Sequence, residues 1–73
     1  MNKTLWDATV VFFGKMVNKL IHQKSTHGYR GWNLEGMVPT KELRRKLAVN
    51  IEKGDWVDVA NLAMMLDYRK NKE

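Results

Sequence analysis

The strongest constraint lies near the start of the chain. Between Leu5 and Ile21 bulky apolar side chains recur at helical spacing: Leu5, Phe12, Met16 and Leu20 on one stripe, and Trp6, Val10, Phe13, Val17 and Ile21 on the next. At about 100° per residue the two stripes cover about half of a helix circumference and leave Asp7, Lys15, Asn18, Lys19 and His22 on the other half. The neighbouring Val10 and Val11 favour a strand locally. The period sustained over more than four turns overrides them and predicts a helix from about Thr4 to Lys24. Half a cylinder of such groups is more than two short helices cover, so Trp6, Val10, Phe13 and Val17 are expected at a subunit interface.

Chain length sharpens that expectation. A chain of 73 residues makes one domain, 1–73, and buries only roughly 60% of its unfolded surface. Small domains then rely on disulfides, a metal or self-association. There is no cysteine, which rules out disulfides and a cysteine zinc site and fits a reducing compartment. A hydrophobic share of 44% with 29% charged residues suits a folded chain. The longest uncharged apolar run, Ala8 to Gly14, is too short to span a bilayer. Asp7 and Lys15 bracket it and no small-residue cleavage site follows, so a signal peptide is not expected. The expectation is a cytoplasmic homo-oligomer without a membrane partner.

Two shorter helices follow a loop. Ser25 to Pro39 holds glycines, aromatics, a histidine and an arginine, an unusual content for a plain connector. Thr40 reads as an N-cap, and Leu43, Leu47 and Ile51 give the helix from about Lys41 to Lys53 a narrow apolar stripe. Gly54 reads as the residue just past that helix, and Asp55 as the cap of the next. The last helix, about Trp56 to Tyr68, is apolar nearly all round and is expected to be buried, with the RKNKE tail fraying. The fold class is all-α: a long N-terminal helix, a loop and two shorter helices, assembling into an oligomeric helical bundle.

A net charge of +5 directs the chain towards anions. His27, Tyr29, Arg30 and Trp32 place aromatics beside cations, a combination that stacks a base and holds phosphate. The same residues serve equally as a core plug with solvated basic neighbours. Arg44 and Arg45, within the run Lys41 to Lys46, are either a solvated face or a phosphate contact. No helix-turn-helix or RNA-motif signature accompanies them, so nucleic acid is not the expected partner. Asp58 and Asn61 stand three apart on an otherwise apolar helix; they are a cap with a structural hydrogen bond, or the polar selectors of a buried site. Glu52, Asp55 and Asp58 recur every three residues and would converge on Mg²⁺ if the helix were continuous, but Gly54 interrupts it. His22 and His27 are five apart, a poor spacing for zinc. No nucleophile elbow, P-loop or Ser/His/Asp set is present.

The stretch DVANLAMML, Asp58 to Leu66, resembles the "DVANFAMMI" helix of small phage-type MazG-like nucleotide pyrophosphohydrolases. FFGKMVNKLIHQKSTHGYRGWN is similar to the first helix of those proteins and the "KGGW"-like turn that ends it, with Trp32 as the matching tryptophan. MVPTKELRRKL is similar to the start of their next helix. The likeness runs in order through most of the chain. It implies an all-α oligomer whose relatives split nucleoside triphosphates between the α and β phosphates, using Mg²⁺ on an ExxE and an ExxD motif. Asp58 matches the last acid of the second motif and Asp55 stands in for its glutamate. The first motif is missing: RRKLAVN occupies the place of the paired glutamates. Cations there attract phosphate and cannot hold Mg²⁺.

The resemblance therefore implies a non-catalytic nucleotide-binding phage protein with no metal cofactor. One use would be sequestering a cyclic or linear nucleotide messenger of host immunity, an anti-defence sponge in the host cytoplasm. His27, Tyr29, Arg30, Trp32, Arg44 and Arg45 would form the site, with Asp58 and Asn61 giving polar selectivity. A minimal Mg²⁺-dependent pyrophosphohydrolase using Glu52, Asp55 and Asp58, and a helical protein-interaction module, are the two other readings.

Overall fold

The computed structural model describes residues 2–23 and 38–72, with the backbone alone given for Gln23 and Lys72. Among these residues it is all-helical, with α1 over Lys3–Gln23, α2 over Thr40–Lys53 and α3 over Trp56–Lys72. Among the described residues no helix is long and apolar enough to cross a membrane.

Local chemistry fixes each helix end. Asn2 caps α1: its Oδ1 accepts from the Leu5 N–H at 2.8 Å and its carbonyl from Trp6 N–H at 3.0 Å. The helix therefore begins just before the expected Thr4. At the start of α2, Thr40 is already helical. Pro39 holds the cap position in extended backbone and itself makes no side-chain cap hydrogen bond. Proline supplies a fixed φ there, so the stop comes from backbone geometry and not from the Thr40 hydroxyl. Between α2 and α3 the expectation holds. Gly54 sits at φ 73°, its N–H donates to the Ile51 carbonyl at 3.0 Å, and Asp55 N–H donates to the Asn50 carbonyl at 3.0 Å. This paired closure needs a left-handed residue, which glycine adopts without a Cβ penalty. Asp55 then caps α3 by accepting from the Asp58 N–H at 3.1 Å.

The core is small. Leu43, Leu62 and Met65 are buried, with Leu20, Val38, Leu47 and Leu66 packed around them. α3 packs on both α1 and α2, whereas α1 and α2 do not pack on each other among the described residues. So α3 is central, as its apolar content suggests, but it is not buried on every side. Trp56, Ala63, Met64 and Tyr68 are exposed, because two flanking helices cover two sides of a cylinder and leave the third open. Ile51, the last member of the α2 stripe, is also exposed, since α2 enters the core only through Leu43 and Leu47.

The C-terminal tail departs from expectation. α3 continues to Lys72, and Arg69 is buried. Its guanidinium donates to Thr40 Oγ1 at 3.2 Å and to the Val38 carbonyl. These bonds tie the last turns of α3 to the entry of α2, which explains why RKNK is helical instead of frayed.

Candidate functional site

Two polar sites emerge. The first lies between α1 and α3. Counting along α3, Asp58, Asn61 and Met65 fall on one face, directed at the C-terminal half of α1. Asn61 is fully buried, and its Nδ2 donates to the Met16 carbonyl at 3.3 Å. Its Oδ1 has no hydrogen-bond partner among the described residues. Lys19 Nζ stands 3.4 Å from Asp58 Oδ2 and 3.7 Å from Asp55 Oδ2. The backbone N–H of Asp58, with the Lys19 charge behind it, holds the Asp55 carboxyl below the usual carboxylate range against the opposing effect of desolvation.

This arrangement sets a pH dependence. The folded-state pKa of Asp55 lies below its unfolded value of about 3.9, so the stabilisation is complete above that value and is lost as pH falls through the folded-state pKa. Asp55→Ala should destabilise the chain by about 0.5–2 kcal/mol at neutral pH, the ordinary worth of a cap. Urea unfolding should show that deficit shrinking on acidification; a deficit constant with pH would contradict the account.

The described residues do not fit Mg²⁺. Among the described residues no three histidine or carboxylate side chains come together. Glu52 is exposed in the last turn of α2, before the Gly54 turn redirects the chain. The two acids that do converge already face the Lys19 ammonium, whose charge repels a divalent cation from the same oxygens.

The second site is a groove of about 430 Å³ at the N-terminus of α2, lined by Thr40, Arg44, Leu66, Asp67, Arg69 and Lys70. Three cations and one carboxylate border it. The first turn of α2 adds the partial positive charge of a helix start. Arg44 and Arg45 are adjacent in sequence but part company here. Arg45 pairs with Glu42, its Nε donating to Oε2 at 3.0 Å, and does not line the groove. That bond holds Glu42 below the ordinary carboxylate range, and the Arg45 guanidinium is raised in turn.

The expected site residues are thus distributed. Asp58 and Asn61 come together with Lys19. Arg44 joins Arg69 and Lys70, in a groove that neither Asp58 nor Asn61 lines. His27, Tyr29, Arg30 and Trp32 lie outside the described residues. Sequence reasoning missed Lys19, Arg69 and Lys70. One signal for Arg69 was legible: Leu62, Met65 and Arg69 continue the period of the buried stripe, so an arginine there had to be satisfied inside the fold. Comparison of the chain with known families, with characterised proteins and with solved structures finds no match.

Proposed function

We propose that the chain is a non-catalytic binder of phosphate-bearing small molecules, of the nucleotide class, and that the groove between the start of α2 and the end of α3 is where it holds them. The observation that carries this reading is the pair of exposed cations Arg44 and Lys70 lining one groove beside the first turn of α2, with the charge of the buried Arg69 guanidinium, itself bonded to Thr40 and Val38, beneath them. Helix starts and guanidinium groups each favour phosphate oxygens, and together they supply directed N–H donors as well as charge. The groove volume falls within the 300–1,000 Å³ range of small-molecule sites. Net charge of +5 steers anions towards it.

The other site supports the non-catalytic part of this reading. On the MazG-like reading, Lys19 neutralises the acids that would otherwise face Mg²⁺, which favours binding without turnover. Sequestering a nucleotide messenger needs no more than this.

Calorimetry of the full chain against linear and cyclic nucleotides and pyrophosphate, without metal, tests the reading. At least one should bind with a Kd below about 100 μM, equivalent to about 5.5 kcal/mol. Arg44→Glu combined with Lys70→Glu should weaken that binding at least about tenfold, some 1.4 kcal/mol, with helicity by circular dichroism unchanged. No binding across the panel, equal binding by the double variant, or release of pyrophosphate from nucleoside triphosphates with Mg²⁺ would each defeat the reading.

A further inference from the structure

The N-terminal two thirds of α1 carry an apolar face that the other described residues do not cover. Trp6 is 57% exposed, Val10 51%, Phe13 63% and Val17 37%. Their separations run four, three, four, the alternation of a heptad seam, with valine at one core position and an aromatic at the other. The next position in that series is Leu20, and Leu20 is the α1 residue packed on the internal core. The helix therefore uses one continuous seam twice: its end docks on α3, and the part before it is unpartnered among the described residues. Gly14, beside the seam, has open space where a side chain would stand. The groove bordered by Ala8, Thr9, Phe12, Phe13 and Met16, about 440 Å³, widens the apolar surface on its inner side.

We infer that this seam pairs with the same seam of a second copy of the chain, helix α1 against helix α1 about a two-fold axis. Three features select that occupant. A two-fold contact needs one self-complementary surface, and a seam free of charged residues meets its own copy without repulsion. On or beside this seam Trp6, Val10, Phe13, Val17 and Ile21 are each between 37% and 63% exposed, a contiguous run of large apolar groups of the kind that marks a protein–protein contact. The heptad alternation is what helix-to-helix packing requires, whereas adsorption to a bilayer needs only an apolar stripe. The inference is independent of the anion groove, which lies at the opposite end of α3 from the α1 docking residues Asp58 and Asn61.

Sedimentation of the full chain between about 1 and 100 μM, the range of ordinary specific association, should give a species of twice the 8.6 kDa chain mass or a multiple of it. Phe13→Glu should raise the dissociation constant by at least about thirtyfold, as the loss of a central aromatic anchor does. A second pair of variants guards against misfolding. Since the chain has no cysteine, Val10→Cys should be cross-linked by a short bismaleimide, while Lys15→Cys, on the far side of α1, should not. A single-copy mass throughout the range overturns the inference, with or without retention on anionic vesicles. Equal cross-linking of the two cysteine variants, or a Phe13→Glu chain that is folded and still paired, overturns it as well.

Discussion

Leu62→Ala should leave the chain largely unfolded at 25 °C. Leu62 is 1% exposed and touches a core in which only Leu43 and Met65 are comparably buried among the described residues. Truncating a buried leucine destabilises by about 2–5 kcal/mol, made up of lost transfer energy and the cavity left behind. A single core in a chain this short supplies no more than about 3–5 kcal/mol. The two figures nearly coincide, so the native fraction should fall steeply. Val11→Ala, at a residue 59% exposed, should change stability by less than about 0.5 kcal/mol. Thermal and urea unfolding at one fixed concentration, followed by circular dichroism, measures both. Fixing concentration matters because a dimer gains stability by mass action. A Leu62→Ala melt within a few degrees of the parent would show that stability resides elsewhere, for instance at a subunit contact.

The second large effect is expected at Asn61, and it has a pH signature. Asn61→Asp removes the donor to the Met16 carbonyl and sets a carboxylate at a fully buried position, opposite a carbonyl oxygen. An unpaired buried charge destabilises by about 3–5 kcal/mol. Burial raises the folded-state pKa of the new acid above its unfolded value of about 3.9. With that sign, the variant is closest to the parent below the unfolded value and loses stability as pH rises through the folded-state pKa. Asn61→Leu introduces no charge and should be much milder, with no such profile, because an apolar group of similar size leaves no buried donor unmet on its own side. Urea midpoints of the two variants across the acidic range separate the cases. A flat profile for Asn61→Asp would mean that the Asn61 site is reached by solvent or by a cation.

The Asn61 site also bears on what divides a metal centre from its absence. Asp55 and Asp58 are spaced as metal ligands are, yet an ammonium from α1 stands within 4.0 Å of both. Lys19 is one turn from Met16, whose carbonyl Asn61 holds. Helix docking and charge neutralisation are thus set by one turn of α1, and the same turn delivers Leu20 to the core.

The sequence by itself determined the local structure. Helical period, the Gly54 break and the Asp55 cap are encoded within a few residues, and all three appear in the structure. It also marked Trp6, Val10, Phe13 and Val17 as surplus apolar surface, because a count of large side chains around one helix needs no knowledge of its neighbours. Only tertiary structure decided which charged groups meet. Arg44 and Arg45 are neighbours in the chain, but about 100° per residue sends one to the groove and the other to Glu42. Lys19 lies 36 positions before Asp55, and Arg69 lies 29 after Thr40. Pairings over such separations depend on how α3 crosses its two neighbours. Crossing angle comes from side-chain packing summed over whole helices, and no single spacing in the chain carries it.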